Sequence, residues 1–308
     1  MKTNQFPYTY IRGKITKTEN AVIPIQAKVI QYGIGCYTGI RANWDAEKKN
    51  LYIFRLRDHY DRLKESSKLI GLNFPYTFPK FKKVIIDLIK KNKAKQNLYI
   101  RPVIYAGSIE IKPELAPKED DLAVYIISFD SYLDPAKGIK VNVSSYRRFD
   151  DNMIPNKSKA TGGYINAALA KAEAKKHKCQ ETIMLNSRGQ VSETSAANIF
   201  IIKKGHILTP PLSANNLNGI TRRSILELAK NELKTPIKEK NITLRDIKSA
   251  DELFLTGTAS RVVAIGQVDG KKIGTGRQGP ITKQIAQAYD EAFTGRSPKY
   301  KKWLTPVY

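Results

Sequence analysis

Asn156-Lys-Ser-Lys-Ala-Thr-Gly-Gly-Tyr164 places two lysines, a glycine pair and a tyrosine directly before 165–178, a run rich in alanine, lysine and leucine with high helix propensity. The glycines let backbone pass close to other groups or take positive φ, and the tyrosine stands where the helix begins. Further on, Glu193 lies between Ser192 and Thr194. Leu217-Asn-Gly-Ile-Thr-Arg222 then opens an amphipathic helix carrying Ile225, Leu226, Leu228, Ala229 and Leu233. Taken singly, each has an ordinary explanation: a surface lysine, a polar turn residue, a helix capped by Asn218.

In this order they amount to an amine, an acid and a helix N-terminus, which is the donor set for pyridoxal 5'-phosphate. The amine forms a Schiff base, the acid pairs with the ring nitrogen, and the first N–H groups of the helix receive the phosphate. Spacing alone leaves Lys157 and Lys159 as alternatives for the amine.

The rest of the chain reads as α/β. Residues 51–56 alternate like a strand, and 58–70 then carry Tyr60, Leu63 and Ile70 on one helical face. Phe81, Val84, Ile85, Leu88 and Ile89 mark a second amphipathic helix before strands at 98–105 and 122–129. Pro, Gly and charge in 131–140 predict an interdomain linker between an N-terminal α/β domain (1–130) and a C-terminal cofactor-binding domain (141–308). In the latter, 182–185, 190–191, 198–202, 252–255 and 261–268 read as strands, and 220–233 and 281–293 as helices.

The sequence has 308 residues, enough to bury a large core without staples. Its two cysteines, Cys36 and Cys179, suggest neither a disulfide framework nor a metal site. No apolar run approaches the ~20 residues a bilayer crossing needs, so the expected location is cytoplasmic, with no membrane partner. A net charge of +25 would suit nucleic acid, but the lysines are spread over every segment without a recognition motif, so no nucleic-acid partner is expected. Gly274-Thr-Gly-Arg-Gln-Gly279 fits the dinucleotide pattern but follows no buried strand and leaves too little chain for a second βαβ half.

The ordered strings Tyr32-Gly-Ile-Gly-Cys-Tyr-Thr-Gly-Ile-Arg41, Tyr60-Asp-Arg-Leu63, Tyr99-Ile-Arg-Pro102, Lys159-Ala-Thr-Gly-Gly-Tyr164, Val191-Ser-Glu-Thr-Ser-Ala-Ala-Asn-Ile-Phe200, Leu217-Asn-Gly-Ile-Thr-Arg222 and Thr256-Gly-Thr-Ala259 resemble the branched-chain-amino-acid aminotransferases. These are class IV enzymes, and the resemblance covers nearly the whole chain. It implies a two-domain, fold-type IV α/β (α+β) architecture with the cofactor in an interdomain cleft. The implied reaction is ping-pong transamination between leucine, isoleucine or valine and 2-oxoglutarate, in a homodimer at least. Related members with other activities are D-amino-acid aminotransferases, aminodeoxychorismate lyases and (R)-amine transaminases.

The family pattern selects Lys159 over Lys157 as the catalytic residue and implies that Arg62, Tyr164, Glu193, Leu217, Gly219, Ile220, Thr221, Gly257 and Thr258 hold the cofactor. On the substrate side it implies Tyr32, Tyr37, Gly39 and Tyr132 around the branched chain. Tyr99, Thr258 and Ala259 would receive the α-carboxylate, and Arg101 or Arg41 the distal carboxylate of glutamate. Many members have Phe-Glu-Gly where this chain has Tyr37-Thr38-Gly39, and Asn-Tyr where it has Gly163-Tyr164. Thr38 is thus expected to remove an acid near the pocket mouth.

Overall fold

The computed structural model describes residues 5–130 and 137–308. Contacts divide the chain into two compact units, one of Met1–Asp130, Ser158–Gly162 and Ala292–Tyr308, the other of Ser131–Lys157 and Gly163–Glu291. Chain order places the Lys159 segment within 141–308, but its contacts group it with the first unit. The cause is backbone pairing: Thr161 N–H donates to Gly35 O at 2.8 Å and Gly162 N–H to Gly33 O at 2.9 Å. Residues 131–136 of the expected linker lie outside the described residues.

Among the described residues the first unit holds an eight-stranded antiparallel sheet with Leu98–Ala106 at its centre. That strand pairs with Asp120–Ser128 on one side and with Gly35–Tyr37 and Ile40–Asp45 on the other. Helix Phe78–Lys91 buries the five apolar residues that its 3.6-residue period predicted. Each contributes about 1.5–3 kcal/mol by leaving water. Helix Leu56–Leu69 buries Tyr60 and Leu63, and Ile70 falls on its C-cap rather than on the buried face. Tyr60 meets the rings of Phe74, Phe78 and Phe81 with centroids 5.4–5.8 Å apart. The edge strand Leu304–Pro306 returns the chain end to Asn50–Phe54.

The second unit is a mixed sheet in the order Val191–Thr194, Glu181–Leu185, Ile139–Arg147, Arg261–Val268, Glu252–Gly257, Asn198–Lys203, His206–Thr209 and Ile237–Glu239. Ile139–Arg147 runs parallel to both neighbours, and its partners come from distant parts of the chain. Helix Tyr164–Lys176 lays Ala167, Ala170 and Ala174 inward, small side chains that allow close approach. Helix Ile220–Leu228 continues as one π-helical turn over Ala229–Leu233, within the 220–233 expected as a single helix.

Candidate active site

In the first unit, Lys159 has φ of 47°, a left-handed conformation that costs a non-glycine residue roughly 1–2 kcal/mol. Pairing on either side imposes it, because Tyr37 N–H donates to Lys159 O and Cys36 bridges Ala160. The amine lies 5.0 Å from the centre of the Tyr37 ring. Lys157, its sequence rival, is exposed, whereas Lys159 is half-buried.

Arg101 also borders Tyr37: its guanidinium lies 4.1 Å from the ring centre and donates to Tyr99 Oη at 2.8 Å. Burial works to lower the Arg101 pKa, but the Tyr99, Tyr37 and Tyr125 phenols outweigh it and the net shift is upward, so the guanidinium stays charged. Gly39 makes room for Tyr99: a Cβ there would lie 1.9 Å from the phenol oxygen. These residues therefore form one continuous aromatic and cationic group.

Three residues singled out in the sequence have further contacts. Arg41 is only 2% exposed, stacks on Phe129 and Phe293 at 4.7 and 5.8 Å, and donates to Phe129 O. Phe129 in turn packs on Tyr99 with ring centres 5.5 Å apart, so Arg41 borders the Tyr37–Arg101 group through that ring. Thr38 does not face a pocket mouth. It is fully buried in the link between strands Gly35–Tyr37 and Ile40–Asp45, its hydroxyl accepting from Arg62 Nη2 at 2.8 Å and bonding His59 Nδ1 at 2.8 Å. Thr38 thus orients the Arg62 guanidinium. Tyr32 is partly exposed and its hydroxyl is bound to Ile111 O. Tyr132 lies outside the described residues.

In the second unit, Glu193 occupies Val191–Thr194, where a register shift interrupts the pairing with Glu181–Leu185. Its carboxylate is nearly buried, and Oε1 accepts from Arg148 Nη2 at 2.8 Å while Oε2 accepts from Asn198 Nδ2 at 3.2 Å. Sequence reading missed both partners. Arg148 stands in an unremarkable pair with Arg147, and Asn198 sits inside a motif string without a role of its own.

A buried ion pair is strongly destabilising when half of it is removed, since the surviving charge stays desolvated. Replacing Arg148 with methionine is expected to lower apoprotein stability by about 3 kcal/mol, and adding Glu193→Gln to recover part of the loss. Thermal midpoints of the native protein and of the two variants check this. An unchanged midpoint in Arg148→Met rules the pair out as a stabilising element.

Helix Ile220–Leu228 starts at Gly219 with no side chain capping it, and the first-turn residues Ile220 and Thr221 are buried. Helix Pro280–Thr294 differs: the Glu252 carboxylate accepts from the N–H groups of Ile281 and Thr282 at 3.0 and 2.8 Å. The glycine-rich string before it therefore leads to a helix start already filled by the protein's own anion. Gly257 closes the strand Glu252–Gly257, and Thr258 and Ala259 follow in a half-buried turn. Tyr164 is half-buried at the first position of its helix. A buried carboxylate paired with an arginine, an uncapped helix start and a half-buried amine fit pyridoxal phosphate by the chemistry of their donors. The described residues contain no cluster that could hold a metal ion.

Residues 35–268 match the family described as amino-transferase class IV. A probable branched-chain-amino-acid aminotransferase of Aquifex aeolicus is 40% identical over 308 residues, covering 100% of this chain and 99% of that one. Among solved structures, branched-chain aminotransferase from Thermoproteus uzoniensis with norvaline superposes with a TM-score of 0.94 at 39% identity, covering 98% of this chain and 100% of that one. A T.th. branched-chain amino acid aminotransferase complexed with N-(5'-phosphopyridoxyl)-L-glutamate gives 0.92 at 32% identity, covering 99% of each chain.

Proposed function

Because this chain belongs to the class IV aminotransferase family, we propose a division of labour among its residues. The enzyme is a pyridoxal-phosphate-dependent fold-type IV aminotransferase that exchanges an amino group between leucine, isoleucine or valine and 2-oxoglutarate. Bound pyridoxal phosphate supplies the electron sink for the pair left on the substrate Cα.

Lys159 holds the cofactor and, as a free amine, takes the proton from Cα and returns it. A desolvated lysine near other cationic groups has a lowered proton affinity and can act as a base near neutral pH. Glu193 keeps the ring nitrogen protonated through its negative charge, and Tyr164 hydrogen-bonds the phenolic oxygen. Leu217, Gly219, Ile220, Thr221, Gly257 and Thr258, together with Arg62, receive the phosphate. Arg101 or Arg41 takes the distal carboxylate of glutamate. Tyr99 with the N–H groups of Thr258 and Ala259 takes the α-carboxylate, and Tyr32, Tyr37, Gly39 and Tyr132 surround the branched chain. The observation that carries this reading is the half-buried Lys159 amine against Tyr37, with Lys157 left exposed.

A homodimer is part of the proposal. The first unit exposes Val22, Ile25, Ile30, Ile109, Ile111 and Leu115, on two segments joined by Lys28 N–H to Ser108 O and Lys28 Nζ to Glu114 O. Exposed apolar groups on that scale mark contact surfaces. A cytoplasmic setting is supported by two free cysteines, of which buried Cys36 has its thiol pushed up to about 12 by desolvation. No helix of the described residues is long and apolar enough to cross a membrane. Domain boundaries in chain order are proposed at 1–130, 131–140 and 141–308.

Borohydride reduction of the yellow protein is expected to fix the cofactor on the peptide bearing Lys159. Recovery of the label on Lys157 by peptide mass spectrometry overturns the assignment.

A further inference from the structure

Asn198 spends both protons of a single amide on two parts of the site. Its Nδ2 donates to Glu193 Oε2 at 3.2 Å and to Leu217 O at 2.9 Å. The amide is 5% exposed and sits at the first position of strand Asn198–Lys203, where pairing with Thr256 fixes its backbone. Its Oδ1 lies over Gly219, so close that a Cβ on that residue would be 2.2 Å away. Gly219 N–H in turn closes a tight turn onto Leu217 O at 2.8 Å, the same carbonyl that Asn198 holds.

We propose that Asn198 is a positioning residue that aligns the Glu193 carboxylate and the turn leading into helix Ile220–Leu228 from one amide, so that the ring-nitrogen acid and the phosphate anchor are set together before the cofactor arrives. The inference rests on the roles proposed for Glu193 and Thr221 and adds a residue that touches neither ring nor phosphate. Without the amide, Glu193 keeps Arg148 but loses the Asn198 donor to its second oxygen, one of the bonds that fix its plane, and the Leu217–Gly219 turn loses a side-chain brace.

The test measures equilibrium binding to apoprotein of three probes: pyridoxal phosphate, its 1-deaza analogue, which lacks the ring nitrogen, and inorganic phosphate. Asn198→Ala and Asn198→Leu are compared with the native chain. The leucine keeps the branched shape of the residue while removing the donor and adding no charge beside Glu193, so a folded Asn198→Leu protein separates loss of the amide from loss of packing. Hydrogen bonds to charged groups are the stronger class, so pyridoxal phosphate is expected to bind about thirtyfold more weakly to both variants. The deaza analogue and inorganic phosphate, which report only the turn, are expected to weaken about fivefold.

Equal losses for pyridoxal phosphate and its deaza analogue, or unchanged binding of inorganic phosphate, overturn the proposal. Glu193→Gln and Thr221→Ala serve as references. If they weaken binding while the Asn198 variants do not, the roles of Glu193 and Thr221 stand and only the Asn198 inference falls. If they too bind all three probes normally, the underlying assignment falls.

Discussion

Lys159→Ala is expected to lower kcat for transamination of leucine by roughly 10⁴-fold or more, since it removes both the covalent anchor and the general base. The backbone makes this a clean experiment. Lysine already occupies a left-handed conformation at this position, so alanine adds no new class of strain, and Lys159→Gly removes the strain altogether. Both variants keep the Thr161 and Gly162 N–H bonds to Gly35 and Gly33, which involve no lysine atom. Thermal midpoints close to native together with activity at background therefore assign the loss to the amine. A small primary amine added to Lys159→Gly is expected to restore a measurable fraction of the rate, because the missing group is a diffusible base. Retention of a tenth of native activity in Lys159→Ala removes Lys159 from the reaction.

Parts of the fold were legible because their signals are local. Phe81, Val84, Ile85, Leu88 and Ile89 repeat at helical spacing and are buried as that spacing requires. The strand expected at 261–268 is Arg261–Val268, since an apolar run entering a buried sheet carries its own boundary. Ile139–Arg147 was not legible, and its first residues fell in the expected linker. Nothing near it in sequence reveals that its two parallel neighbours are Glu181–Leu185 and Arg261–Val268. The edge strand Lys14–Lys17 has no fully buried residue, Ile15 and Thr16 being both half-buried, so it shows no alternation to read.

Legibility of the site divides the same way. The Lys159, Glu193 and Gly219–Thr221 strings could be read because residue type and order carry their chemistry. Partnerships could not: Arg148 with Glu193, Thr38 with Arg62 and His59, and Arg41 with Phe129 and Phe293 each join residues that look ordinary alone. Arg41 and Arg101 were equivalent in sequence. Arg41 is directly opposite Tyr99 in the sheet and Arg101 is two residues beyond it, so both start on the face of Tyr99. Their contacts differ: Arg41 lies on Phe129 and Phe293, and Arg101 on Tyr37 and Tyr99.

Glu193→Gln is the second large effect, because it deletes one charge and keeps the volume. A carboxylate beside a ring nitrogen stabilises its protonated form, each pKa unit being worth about 1.4 kcal/mol, and the loss of a nearly desolvated negative charge removes several such units. The expected fall in kcat is about 10³-fold, with a smaller change in KM for leucine, since the lost interaction strengthens as charge moves into the ring. Glutamine has one amide oxygen for two donors, so it keeps the bond to Arg148 or to Asn198 and turns its own NH2 toward the other; the volume survives while the counter-charge and one acceptor do not. Arg148 then remains as a buried cation beside the ring-nitrogen acid's position, which further disfavours a protonated ring. Two variants separate these contributions. Glu193→Asp keeps the charge on a shorter arm and is expected to fall between native and Glu193→Gln. Arg148→Met added to Glu193→Gln removes the residual cation and is expected to recover about tenfold of the lost kcat. If Glu193→Gln keeps more than a tenth of native kcat, the carboxylate is a structural partner of Arg148 and the ring takes its proton from elsewhere.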